Sequence, residues 1–78
     1  MNKERRKSIR LIVETLEEAS SGLEEVLAEE ESYRDNIPEN LQGSVVYERA
    51  DEACDALRTE IDNLNDAIDN LGAVIKEN

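Results

Sequence analysis

From Ala50 onward the chain sets an apolar residue every three or four positions: Ala50, Cys54, Leu57, Ile61, Leu64, Ile68, Leu71 and Ile75. Steps of four and three alternate without a miss, which keeps one face of a single long α-helix apolar. An earlier stripe reads Ile9, Ile12, Leu16, Ala19, Leu23 and Val26, and Glu30 interrupts it before Tyr33. Val13 and Leu27 widen the first stripe; Ala53, Ala67 and Val74 widen the second. Between the stripes lies Asp35-Asn36-Ile37-Pro38-Glu39-Asn40-Leu41-Gln42-Gly43-Ser44. The pattern predicts an all-α, single-domain antiparallel hairpin: a helix over about 3–34, a turn over 35–43 and a helix over about 44–76.

The stop and start signals agree with those bounds. Asn2 is a suitable N-cap for the first helix, and Ser44 for the second. Pro38 cannot continue a helix and pushes Ile37 out of the α region. Ser20-Ser21-Gly22 falls inside the first helix as a soft point or slight bend, because the apolar stripe keeps its register across it. Tyr33 and Tyr47 flank the turn and are expected to pack across its end with Ile37 and Leu41.

Length makes the hairpin marginal on its own. A chain of 78 residues buries a small core and normally needs a disulfide, a metal or association to hold it. One cysteine and no histidine leave no intramolecular disulfide and no structural zinc site. Association remains, and pairing two hairpins into a four-helix bundle would cover the wide stripes. The residues expected to form this core and the contact between copies are Ile9, Ile12, Leu16, Leu23, Val26, Leu27, Leu57, Ile61, Leu64, Ile68, Leu71 and Ile75. A homodimer is the simplest partner arrangement.

Charge narrows the partners. Net charge is −11, yet residues 1–10 hold Lys3, Arg5, Arg6, Lys7 and Arg10 against Glu4 alone, a net +4. The remaining residues hold 4 basic and 19 acidic side chains, a net −15. Such a body repels nucleic acid and acidic membrane surfaces and favours a basic protein. No apolar run approaches a membrane span, and no apolar segment follows the basic start as in a signal peptide, so a cytoplasmic protein is expected. The basic start and Glu29-Glu30-Glu31 near the end of the same helix both oppose its dipole.

Candidate chemistry is sparse. Asp62, Asp66 and Asp69 share a helix face, but they fall opposite the apolar stripe, where a solvated face is expected rather than a metal site. Glu30 sits in a stripe position, either as a polar specificity device or because the stripe ends near the turn. Cys54 lies on the apolar stripe with no histidine to activate it. No glycine-rich phosphate loop, nucleophile elbow or nucleic-acid motif is present. The chain is therefore read as non-enzymatic, with no cofactor and no metal. Arg5, Arg6, Lys7 and Arg10 remain as a candidate ligand site for a phosphate-bearing molecule such as a signalling nucleotide. The other reading of the same residues is that they pair with the acidic C-terminal half of the second helix.

The turn Asp35–Ser44, followed by Tyr47-Glu48 and by Ala67-Ile68-Asp69-Asn70-Leu71, resembles a group of short acidic proteins from bacteriophages, prophages and mobile elements of Gram-positive bacteria. Its members share a basic start, a Glu-rich helix, a "DN-I/M-PE-x-LQ" turn and a helix rich in "AID-x-L" units. Ser20-Ser21-Gly22 departs from the helix formers usual there. The resemblance covers nearly the whole chain and implies a phage-linked setting without catalytic residues to carry over. Three functional expectations follow: a binding protein that engages a host factor in a counter-defence or regulatory role, capture of a phosphate-bearing nucleotide by the basic turns of an oligomer, or a structural scaffold module.

Overall fold

The computed structural model describes residues 1–76. Two helices, α1 (Lys3–Asp35) and α2 (Val45–Lys76), lie antiparallel and are joined by a short 3-10 turn at Glu39–Leu41. The Cα trace measures 59 × 14 × 13 Å, a rod two helices thick.

The helix ends follow from local chemistry. Asn2 is extended, at φ −80° and ψ 169°. Its Oδ1 accepts from the Arg5 N–H at 2.8 Å, satisfying a donor that the first helical turn leaves without a partner. At the other end of α1 the Asn36 N–H donates to the Ser32 carbonyl at 3.1 Å. Pro38, at ψ 144°, then turns the chain away. The Leu41 N–H donates to the Pro38 carbonyl at 2.8 Å, closing the 3-10 turn, an element absent from the sequence expectation. Ser44 opens α2: its Oγ accepts from the Tyr47 N–H at 3.4 Å and its carbonyl from the Glu48 N–H at 3.1 Å.

The seam between the helices is narrow. On α2 it is the expected stripe, with Ala50, Cys54 and Ile61 buried and Leu57, Leu64, Ile68, Leu71 and Ile75 half-buried. On α1 it differs from the expected stripe. The residues turned toward α2 are Ile9, Val13, Leu16, Ser20, Leu23 and Leu27, continued by Glu30 and Arg34. Ile12, Ala19 and Val26 are exposed. The physical reason is that α1 carries apolar residues in two adjacent rows, and either row combines with Ile9, Leu16 and Leu23 into a helical stripe. Ser20 belongs to the seam because its Oγ donates to Asn65 Oδ1 at 3.0 Å, so its hydroxyl is satisfied inside the contact. α1 is continuous through Ser20-Ser21-Gly22.

The expected aromatic packing at the turn holds only in part. Tyr47 and Ile37 are half-buried, whereas Tyr33 is 54% and Leu41 49% exposed. Tyr33 falls outside the seam because it sits seven residues after Val26, on the same outward row. None of the described helices is long and apolar enough to cross a membrane.

Candidate functional site

Three surfaces flank or cap the seam, and each has its own chemistry. The first is polar. Glu31 and Arg34 of α1 face Asp51 and Arg58 of α2, with Ser20 and Asn65 farther along the same side. Arg34 Nη1 donates to Asp51 Oδ1 at 2.9 Å and its Nε to Asp35 Oδ1 at 3.0 Å. Arg58 Nη2 donates to Glu31 Oε2 at 2.7 Å and its Nη1 to Asp55 Oδ1 at 2.9 Å. The hydrogen bonds from Arg34 to Asp35 and Asp51 push its pKa still higher, against the opposing effect of burial. Arg58 is raised in the same way, chiefly through Glu31. Both guanidiniums therefore stay charged wherever the protein is folded.

Cys54 lies beneath this pair of arginines with no exposed surface. Burial pushes its thiol pKa up, and the positive charges of Arg34 and Arg58 oppose that rise without cancelling it. A buried, protonated thiol is a poor nucleophile, and no base stands beside it. Sequence reasoning missed Ser20, Arg34, Arg58 and their partners. A signal was available: Arg34 stands fourteen residues after Ser20 in the same heptad row, so a polar seam on this side could be read once that row was chosen.

The second surface is the basic end. Lys3, Arg5, Lys7 and Arg10 are exposed and Arg6 is half-buried. All four described salt bridges belong to Arg34 or Arg58. The expected pairing of the basic start with the acidic half of α2 is therefore not formed among the described residues. Long side chains at the helix start remain in water, where an ion pair gains little. Asp62, Asp66 and Asp69 are all exposed, and no group of acidic or thiol ligands among the described residues is close enough to hold a metal ion.

The third surface is apolar and lies across the seam from the polar one. Ile12 (52% exposed), Val26 (48%) and Tyr33 (54%) form one row on α1, and Val46 (53%) and Val74 (39%) belong to a matching row on α2 that the exposed Glu60 interrupts midway. Tyr33 and Val46 line one shallow groove with Glu30, Arg49 and Ala50, which places the two rows on the same side of the rod. Glu30, which lines this groove, is half-buried. A second depression, lined by Glu17, Ser20, Ser21, Glu24, Asn65 and Ile68, opens on the polar side. Both are wide open, unlike the enclosed pockets that bury most of a small ligand.

Comparison with protein-family models, with curated proteins and with solved structures finds no match.

Proposed function

We propose that this helical hairpin is a non-enzymatic binding protein whose elongated acidic surface engages a basic partner protein. The observation that carries the reading is the placement of the carboxylates. Glu14, Glu18, Glu25 and Glu29 on α1, with Asp55, Asp62, Asp66 and Asp69 on α2, are all exposed along the outer faces of a 59 Å rod. A line of like charges of that length steers and holds a basic groove through long-range attraction. The lack of histidine, the burial of Cys54 and the open shape of both depressions support binding rather than turnover. The resemblance to phage-linked proteins supports a host factor as the partner, in a counter-defence or regulatory role within the cytoplasm.

The test is capture from a host lysate, with mass spectrometry of bound proteins and bound small molecules. The reading expects a basic protein, released by salt, lost with Asp62→Asn, Asp66→Asn and Asp69→Asn together, and retained with Arg5→Ala and Arg6→Ala. Retention by the triple variant at unchanged salt sensitivity would overturn it. A second reading is favoured by the exposed Lys3, Arg5, Lys7 and Arg10, which make no described ion pair. There the basic end holds a phosphate-bearing nucleotide, and Arg6→Ala with Arg10→Ala abolishes its capture while the acidic variants retain it. A scaffold module, the third reading, predicts capture of neither.

A further inference from the structure

Seven-residue spacing divides the five cations of the first turns between two sides of the rod. We propose that Lys3, Arg6, Lys7 and Arg10 form one face that holds two or more linked phosphates, and that Arg5 takes no part. The inference deepens the second reading above, on which it rests: it names the class of ligand and the side chains that grip it.

The polar depression fixes the side. Its wall on α1 is Glu17, Ser20, Ser21 and Glu24. Two heptads earlier, those four positions are Lys3, Arg6, Lys7 and Arg10. α1 is one continuous helix over this span, and residues fourteen apart on a packed helix point the same way. The wall that carries carboxylates and hydroxyls at mid-rod is therefore wholly cationic near its start. Arg5 belongs instead to the row of Ile12, Val26 and Tyr33, across the seam. Glu4, the one acid in these turns, falls in the outer row of Leu11, Glu18 and Glu25. Burial agrees: Arg6 is half-buried like Ser20's neighbours in the seam row, while Lys3, Lys7 and Arg10 are exposed. Arg6 shares that row with Arg34. Arg34 grips Asp51, whereas Arg6 has no ion-pair partner among the described residues.

Spacing selects the ligand. Arg6 and Arg10 stand one turn apart, as do Lys3 and Lys7, with about 5–6 Å between Cβ atoms in each pair. One phosphate spans one such pair, and all four cations are engaged only when a second phosphate is linked to the first. The face is also short. Lys3 to Arg10 covers about 10 Å at 1.5 Å per residue. Glu14 and Glu17 then take over the same side. A nucleic-acid strand laid along α1 runs onto those carboxylates, so a short chain of phosphates fits better than a polymer. Both tyrosines flank the turn at the other end of the rod, and the chain has no other aromatic residue. A base finds no ring to stack on, which leaves recognition to the phosphates. On α2, Gly72 follows Arg58 and Asn65 at seven-residue spacing and has nothing within 4 Å of where a Cβ would stand, so this side stays open. A bound anion also gives a reason for cations that oppose the dipole of α1, since it is attracted by both.

The test is titration calorimetry of the purified full chain with sodium tripolyphosphate, ATP, GTP and orthophosphate. Tripolyphosphate, ATP and GTP are expected to bind alike, and orthophosphate at least ~10-fold more weakly, because it engages one pair of cations. Lys3→Ala with Lys7→Ala is expected to weaken tripolyphosphate by at least ~10-fold, and Arg6→Ala with Arg10→Ala by as much, while Arg5→Ala changes it by less than ~2-fold. Lys3 and Lys7 are exposed, so their double variant keeps the helical content that circular dichroism measures, and the outcome does not hang on the half-buried Arg6. No binding of any probe sinks this inference and the second reading together. Nucleotide binding with orthophosphate as tight as tripolyphosphate, or with Arg5→Ala as damaging as the lysine pair, sinks this inference alone. ATP preferred over tripolyphosphate by more than ~10-fold means that the base is read, and that too overturns it.

Discussion

Ser20 Oγ donates to Asn65 Oδ1 at 3.0 Å, a polar bridge from α1 to α2 flanked in the seam by the aliphatic side chains of Leu16 and Leu23. Sliding α1 by one heptad would carry Ser20 away from Asn65 and leave its buried hydroxyl without a partner. The bridge thus penalises wrong registers, as a single polar residue does in a coiled-coil seam. Ser20→Ala and Asn65→Ala are each expected to lower stability by about 1 kcal/mol. The double variant should lose little more than either one, because both remove the same contact. Urea unfolding of the four proteins gives the coupling directly, and strictly additive losses would show that the two residues act apart.

Two residues away, Gly22 has a helical backbone and nothing within 4 Å of where a Cβ would stand. Alanine there meets no obstacle and restricts the unfolded chain. Gly22→Ala is therefore expected to raise stability by roughly 1 kcal/mol. A thermal melt followed by circular dichroism checks it. A drop in Tm would mean that α1 bends at this point in a way that needs glycine.

The contrast between α1 and α2 shows what periodicity can and cannot say. In α2 every seam position from Ala50 to Ile75 is apolar, so only one face can be buried, and the stripe was readable residue by residue. In α1 the row with Ile12, Ala19 and Val26 looks more apolar than the row with Val13, Ser20 and Leu27, because Ser20 spoils the latter. The true seam depends on a partner forty-five positions away, Asn65, and pattern within one helix holds no trace of it. The same limit hid Arg34 and Arg58, whose carboxylate partners Asp51 and Glu31 lie on the opposite helix. The basic start and the acidic faces were legible, since exposed charge needs only the absence of a partner.

Arg34 occupies a seam row with its side chain only 16% accessible, while its partners Asp51 and Asp35 are much more open. The aliphatic stem fills the seam near Cys54, and the guanidinium reaches the rim. Packing should then matter more than charge. The expected order of Tm is wild type, then Arg34→Met close below it, then Arg34→Ala clearly lowest. Raising the salt concentration should narrow the gap between wild type and Arg34→Met, because their difference is the rim ion pair. If Arg34→Met melts as low as Arg34→Ala, the ion pairs hold the seam and the stem does not.

Cys54 provides the pH test. Burial raises its pKa above the ordinary thiol value of 9.0, so the folded protein keeps it protonated after the unfolded chain has begun to ionise. The sign follows from proton counting. Below about pH 9 both states hold the proton, and the group's contribution is fully present. As pH rises past 9, the unfolded state sheds its proton first, and stability falls until the folded thiol also titrates. The loss approaches about 1.4 kcal/mol per pH unit for one group. The comparison is with Cys54→Ala, which removes the thiol and keeps every other ionisable group. Unfolding free energies at pH 8 and pH 10 should fall more steeply for wild type than for Cys54→Ala. Parallel slopes would show that the thiol ionises equally in both states, which a side chain with no exposed surface beneath Arg34 and Arg58 should not do.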